Sequence, residues 1–298
     1  MHILDGGMGQ ALLAMTQRPV TNLWSADVML HEPEHVAALH LAFLEAGAQT
    51  ITLNTYTATP ERLANNQALQ HFDRLHHLAS QAATEAIKRY SERHPHAKQP
   101  SIAGCLPPLV ASYHPDVAPD YDACLASYQQ LVAQQNAVAD VFICETMASI
   151  NEAKAACMAA KTTGKPVWVA FTVCDNEPHL LRSKESLETA IEEIALLQPD
   201  AILLNCSRPE AISKALPICM QSNLTVGAYA NGFTSIASLY PGTTVTSLQT
   251  RQDLTPDAYA DIAQSWADMG ATIIGGCCEV GPEHIKALHL RFNTAAPK

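Results

Sequence analysis

Short apolar runs recur along the chain with helical stretches between them, and this alternation limits the folds open to it more than any other feature. Eight runs can be counted: Ile3-Leu4, Thr50 to Leu53, Ile102-Ala103, Val141 to Ile143, Val167 to Thr172, Ala201 to Leu204, Thr225 to Gly227 and Thr272 to Ile274. Continuous apolar runs of this length read as strands covered on both faces, the condition of a parallel sheet. Alternation with helices predicts an α/β protein, and eight such units predict a (β/α)8 TIM barrel over an open doubly wound sheet. An open sheet would favour a glycine-rich phosphate loop, and no segment has that spacing. Ile3-Leu4 and Ile102-Ala103 are too short to stand alone; they enter the count through regular spacing.

The helices carry their own punctuation. Pro33 can open one at its first position, with Val36, Leu39, Phe43 and Leu44 on one face and Gly47 as the stop. Ser149 and Glu152 form a capping box ahead of a helix ended by Gly164 and Pro166. Thr255-Pro256 starts another, with Tyr259, Ile262, Trp266 and Met269 at helical spacing and Gly270 closing it. No linker, low-complexity tract or repeat interrupts the chain, so residues 1–298 read as one barrel domain. Three segments after strands are long: Asn54 to about Gln70, Cys105 to Asp120, and Ala228 to Asp253. A barrel builds its site and lid from such segments.

Composition removes several function classes. The net charge is −11 with both signs spread along the chain, which leaves no nucleic-acid footprint. No apolar run is long enough to span a membrane, and no charged-then-apolar leader opens the chain. Nine cysteines, an odd number without disulfide-scaffold spacing, point to a reducing compartment, hence the cytoplasm. The sequence carries no signal of oligomeric state.

Nearly every strand end bears a reactive or polar residue: Asp5, Asn54-Thr55, Cys105, Glu145, Cys174-Asp175, Cys206, Tyr229 with Asn231, and Cys277-Cys278. Polar groups at the C-terminal ends of barrel strands read as catalytic or binding groups. Cys206, Cys277 and Cys278 stand out, because adjacent cysteines after Gly275-Gly276 are poor core residues. Three converging thiolates suit Zn²⁺ with its fourth tetrahedral position open, and a redox-active or vicinal disulfide is the competing reading. Cys105, Cys124, Cys144, Cys157 and Cys219 read as small buried hydrophobes. Asp5, beside flexible glycines, and Glu145 could grip a cationic group such as an ammonium, or could cap helices. His31-Glu32-Pro33-Glu34-His35 matches a metalloprotease pattern letter for letter, but Pro33 cannot lie inside the continuous helix that pattern needs. The other histidines, His76-His77 included, read as solvated helix positions.

Asp5-Gly6-Gly7-Met8-Gly9, Asn54-Thr55-Tyr56, Glu145-Thr146, Asn205-Cys206 and Gly275-Gly276-Cys277-Cys278 followed by Pro282-Glu283-His284-Ile285 together resemble the homocysteine S-methyltransferase family. The resemblance spans the whole chain. It implies a (β/α)8 barrel with zinc on Cys206, Cys277 and Cys278 at the C-terminal ends of the strands. It also implies homocysteine as acceptor, its amino group held by Asp5 and Glu145, in a substrate pocket including Gly6, Trp24, Asn54 and Tyr56. Leu23-Trp24-Ser25-Ala26 is similar to the S-methylmethionine-type members, so the resemblance implies a sulfonium donor, S-methylmethionine first and S-adenosylmethionine next. Trp24 and Tyr56 would face that cation. Glu279-Val280-Gly281 stands where the family usually has Gly-Thr-Thr, and Cys105-Leu106-Pro107-Pro108 where S-methylmethionine users have Gly-Ser-x-Gly-Pro; both changes bear on the donor. Betaine as donor or another thiol as acceptor, a zinc hydrolase on the same barrel, and a zinc- or thiol-binding regulator without turnover are the alternatives. The hydrolase would want histidine or carboxylate ligands and a general base, which the cysteine trio lacks.

Overall fold

A computed structural model describes residues 1–240 and 248–293. Its strands are β1 (His2–Ile3), β2 (Thr50–Thr52), β3 (Ser101–Leu106), β4 (Val141–Met147), β5 (Val167–Phe171), β6 (Ala201–Asn205), β7 (Thr225–Tyr229) and β8 (Ile273–Ile274), all paired in parallel in the order β1-β8-β7-β6-β5-β4-β3-β2. The ring closes between its ends, since Leu4 bridges Thr50 in parallel and the Gln49 N–H donates to the Ile3 carbonyl at 2.7 Å. The expected barrel is therefore present.

Why continuous apolar strands suit it is visible in β6, where Ala201 and Leu203 fill the barrel interior while Ile202 and Leu204 join the layer beneath the helices. Both faces of β6 are dry, so it shows no period-two alternation of polar and apolar residues. The interior cluster also takes Leu4, Ala103, Ile143, Ala170 and Tyr229. The outer layer holds Phe43, Phe142 and Trp266 fully buried, each contributing on the order of 1.5–3 kcal/mol.

Among the described residues the helices are α1 (Met8–Met15), α2 (Ser25–His31), α3 (Pro33–Glu45), α4 (Pro60–Asn65), α5 (Phe72–Arg93), α6 (Tyr121–Gln135), α7 (Ile150–Lys161), α8 (Leu187–Ala195), α9 (Pro209–Cys219), α10 (Pro256–Asp268) and α11 (Pro282–Asn293). Pro33 occupies the first turn of α3, and Gly47 follows it at φ +106°, a conformation open to glycine. Thr255 caps α10 by accepting from the Ala258 N–H. Ser149 caps α7 the same way, but only half of the expected capping box forms. Glu152 turns away and accepts from the Leu109 N–H at 2.8 Å, pinning the segment after β3.

Several expectations shift. β3 and β4 run past their apolar runs, so Cys105 and Glu145 lie inside strands, not beyond them. The loops after β2 and β3 contain short helical turns, Pro60–Asn65 and Pro115–Val117. Of Ala228 to Asp253, residues 241–247 lie outside the described residues. His31 ends α2 and His35 sits in α3, with Glu32 between the two helices, so the metalloprotease pattern has no single helix to stand on. His76 is buried with Nε2 on the Ala58 carbonyl at 3.1 Å, and His40 is wholly buried with neither ring nitrogen partnered. Both correct the solvated reading: a histidine on the inner face of an amphipathic helix follows the face, not its polarity. Among the described residues no helix is long and apolar enough to cross a membrane.

Candidate functional site

At the C-terminal mouth of the barrel one cavity is lined by Asp5, Gly6, Trp24, Asn54, Tyr56, Glu145, Cys206, Cys277 and Cys278. The proposed metal ligands and substrate-binding residues thus meet in one place, although they come from the ends of five strands, whereas Thr55, Cys105, Cys174, Asp175 and Asn231 do not line this cavity.

The three thiols converge closely. Their sulfurs lie within 4.8 Å of one another, and all three cysteines are free. Tetrahedral thiolate coordination of Zn²⁺ at about 2.3 Å requires sulfurs about 3.8 Å apart, so the donor set and spacing fit a metal. Cys206 follows β6 directly, its backbone at φ 49° and its N–H on the Tyr229 carbonyl at 3.2 Å. That left-handed turn aims the buried sulfur into the mouth. Hydrogen bonds from Cys277 and Cys278 hold the Cys206 thiol well below its ordinary range, with Tyr113 and Thr146 adding to the effect against burial. The same contacts push Cys277 and Cys278 well above theirs. A bound cation would favour the thiolate form of all three. Cys277 and Cys278 stand after Gly275-Gly276 because the chain doubles back there: a Cβ on Gly276 would lie 2.1 Å from the Val280 side chain.

Asp5 is held from β2, accepting from the Thr52 N–H at 2.7 Å and the Thr52 hydroxyl at 3.1 Å. Burial raises its carboxyl to about 8 against those bonds, and the nearby Glu145 raises it further. Burial likewise lifts Glu145 to about 7, opposed by a hydrogen bond from the Cys105 thiol at 2.8 Å. Glu145 is placed by an irregularity in β4: the register against β5 shifts between Cys144 and Met147, and Thr146 sits at φ 60°. Asn205 locks this bulge, accepting from the Thr146 N–H at 3.0 Å and donating to its hydroxyl at 2.9 Å. One residue therefore steadies both Glu145 and its own neighbour Cys206.

The remaining pocket residues differ in character. Gly6 allows backbone contact, since a Cβ there would lie 2.0 Å from the Val280 carbonyl oxygen. Trp24 caps α2 at φ 51° and its indole N–H donates to Gln10 at 3.3 Å. Asn54 spends its amide on the Ser25 carbonyl at 3.4 Å. Tyr56 donates to or accepts from Ser112 at 2.8 Å, and the Arg62 guanidinium stands 5.3 Å from its ring centre. Sequence reasoning missed Tyr113, whose hydroxyl donates to the Cys206 sulfur at 3.1 Å. It also missed Thr52 as the grip on Asp5. Tyr113 sits in a loop with no periodic or spacing signal; Thr52 was visible only as a strand residue.

An eight-stranded parallel barrel with two acids and three converging thiols at its C-terminal mouth has the form of a (β/α)8-barrel enzyme with a centre able to hold a metal. The chain belongs to the homocysteine S-methyltransferase family, whose sequence model matches residues 2–292. It is therefore a methyltransferase acting on small molecules, homocysteine among them. It is 28% identical to the homocysteine S-methyltransferase of Escherichia coli (strain K12), over 97% of this chain and 94% of the relative. It is 25% identical to homocysteine S-methyltransferase YbgG of Bacillus subtilis (strain 168), over 96% and 92%. The homocysteine methyltransferase MmuM from Escherichia coli superposes with a TM-score of 0.83 in its oxidized form, at 26% identity, covering 98% of this chain and 96% of that one. Its metallated form superposes equally well, with a TM-score of 0.83 at 25% identity over the same shares.

Proposed function

We propose that this protein is a zinc-dependent enzyme moving a methyl group from a sulfonium donor, S-methylmethionine first and S-adenosylmethionine next, to homocysteine, giving methionine. The observation that carries this is the convergence of three thiols and the carboxyls of Asp5 and Glu145 in one cavity. That MmuM was solved in a metallated form supports a metal here.

Cys206, Cys277 and Cys278 would hold the zinc, which when bound keeps a substrate thiol deprotonated near neutral pH. Asp5 and Glu145 bind the amino group of homocysteine: an ammonium between them restores the charged carboxylates that burial opposes. Gly6 lends backbone, and Asn54 fixes the start of α2 and so the Trp24 ring. Trp24 and Tyr56 face the donor cation, an interaction of roughly 0.5–2 kcal/mol. Leu4, Ile143 and Phe233 line the same cavity and keep it apolar. The transfer forms a bond between the homocysteine sulfur and the methyl carbon as the donor's sulfur–methyl bond breaks. A thiolate and a sulfonium become two neutral thioethers, and loss of opposite charges is favoured where water is excluded. Reduced cysteines at such a site suit the cytoplasm.

Two measurements on the purified, reduced protein test this. Metal analysis should find about one zinc per chain, reduced in Cys206→Ser, Cys277→Ser and Cys278→Ser; full retention in all three removes the metal site. A panel of donors with homocysteine should give methionine fastest from a sulfonium. Faster formation from betaine would overturn the donor while leaving the acceptor half standing.

A further inference from the structure

Beside the reaction cavity lies a second one at the same barrel mouth, lined by Arg182, Lys184, Asp175 and Arg208 and sharing Tyr113 and Leu239 with the first. We propose that this cavity binds the carboxylate of the methyl donor, which makes that donor a sulfonium amino acid; the inference rests on the sulfonium reading above.

Charge points that way. Among the described residues Arg182, Arg208 and Lys184 face two carboxylates: Asp175 serves both arginines (3.0 Å to Arg182 Nη1 and 3.9 Å to Arg208 Nε), while Glu177 pairs with Lys184. One positive charge is left over. The hydrogen bonding agrees: Arg182 Nη2 is buried without an acceptor, and Arg208 Nε has Asp175 only at 3.9 Å, beyond hydrogen-bond reach. Buried guanidinium donors left unmatched are costly, and a carboxylate is the planar acceptor that fits them.

Position connects the cavity to the chemistry. Arg182 Nε donates to the Thr172 hydroxyl at 3.3 Å, and that hydroxyl donates to the Cys206 carbonyl at 3.3 Å. The guanidinium also stands 5.3 Å from the ring centre of Tyr113, whose hydroxyl reaches the Cys206 sulfur. Asp175 and Arg182 follow β5, which lies across the eight-membered ring from β1 and its Asp5. A donor anchored here reaches the site from the side opposite Asp5, next to the strand that carries Glu145.

Binding separates this from a purely structural ion-pair cluster. Calorimetry should show S-methylmethionine binding the wild type roughly tenfold or more tightly than its methyl ester, as expected of a charge-assisted pair. Arg182→Gln should abolish that preference, Arg208→Gln should reduce it, and Arg182→Lys should keep part of it. Homocysteine affinity and metal content should stay at wild-type levels in all three. Equal binding of acid and ester by the wild type overturns the proposal, as does no measurable S-methylmethionine binding. A preference that survives both glutamine variants overturns it too. Homocysteine affinity falling in step would mean that the carboxylate is the acceptor's or the fold is lost, and either overturns it. Acid-over-ester preference without methyl transfer would instead sink the donor reading and leave the carboxylate site standing.

Discussion

Asp5 and Glu145 bear opposite consequences for binding and for stability. Replacing either by its amide should weaken homocysteine binding by about 1.5–3 kcal/mol, the usual worth of a hydrogen bond to a charged group, with zinc content unchanged. Unaltered affinity in both variants would remove them from the site. Because the free carboxyls are raised to about 8 and about 7, protons must leave before an ammonium can be held by charge, so homocysteine affinity should climb between about pH 6 and pH 8. For folding, a raised carboxyl stabilises below its unfolded value and loses that contribution as pH rises through the folded one. Asp5→Asn should therefore melt at a higher temperature than wild type at pH 8 without ligand, the gap closing toward pH 4; a lower melting temperature at pH 8 would contradict it. His40 runs the other way. Burial lowers it to about 4, so the unfolded chain takes up a proton first and stability is lost as pH falls from about 6.5 toward 4. His40→Leu should recover about 2 kcal/mol at pH 5 relative to pH 7, read from denaturant unfolding at the two values.

At the scale of elements, the pair of β4 and β6 decides the site. Glu145-Thr146 and Asn205-Cys206 are separate motifs in the sequence, and the structure makes them one device through the two hydrogen bonds between Asn205 and Thr146. Asn205 does not line the cavity, yet Asn205→Ala leaves the buried Thr146 N–H without its acceptor. The expected cost is about 1–3 kcal/mol of stability, together with weaker homocysteine binding through a displaced Glu145. Full homocysteine affinity in a folded Asn205→Ala protein would show that the bulge holds itself. The same pairing explains why the apolar run Val141 to Ile143 understated β4: the strand continues through polar residues that face the barrel mouth, where apolar patterning stops being informative.

Across the whole molecule, the three thiols join the ends of β6 and β8, so a metal held there links the two strands that flank β7 in the ring. Anything bound only by the folded state stabilises by mass action, about 2.7 kcal/mol at a hundredfold excess over its dissociation constant. Chelation should lower the melting temperature by several degrees, and re-addition of zinc should restore it. Oxidation of the cysteines should release metal and activity together, since oxidised thiols no longer ligate. A melting temperature indifferent to chelator would deny the metal any part in the fold.

The chain's linear pattern was enough for the barrel, because strands buried on both faces must be apolar throughout and their spacing counts the βα units. It was enough also to gather Asp5, Glu145, Cys206, Cys277 and Cys278, since a parallel barrel brings the C-terminal ends of all its strands to one mouth. Tertiary structure alone decided the rest. Tyr113 reaches Cys206 from a loop 93 residues away in sequence, and Thr52 grips Asp5 across 47. His40 and His76 went inside because packing of a helix face outweighed the polarity of one ring. Glu152 left its cap for Leu109 because a buried N–H in the β3 loop needed an acceptor. Local pattern reports which face of an element is dry; which distant polar groups then meet there depends on how the closed ring brings its loops together.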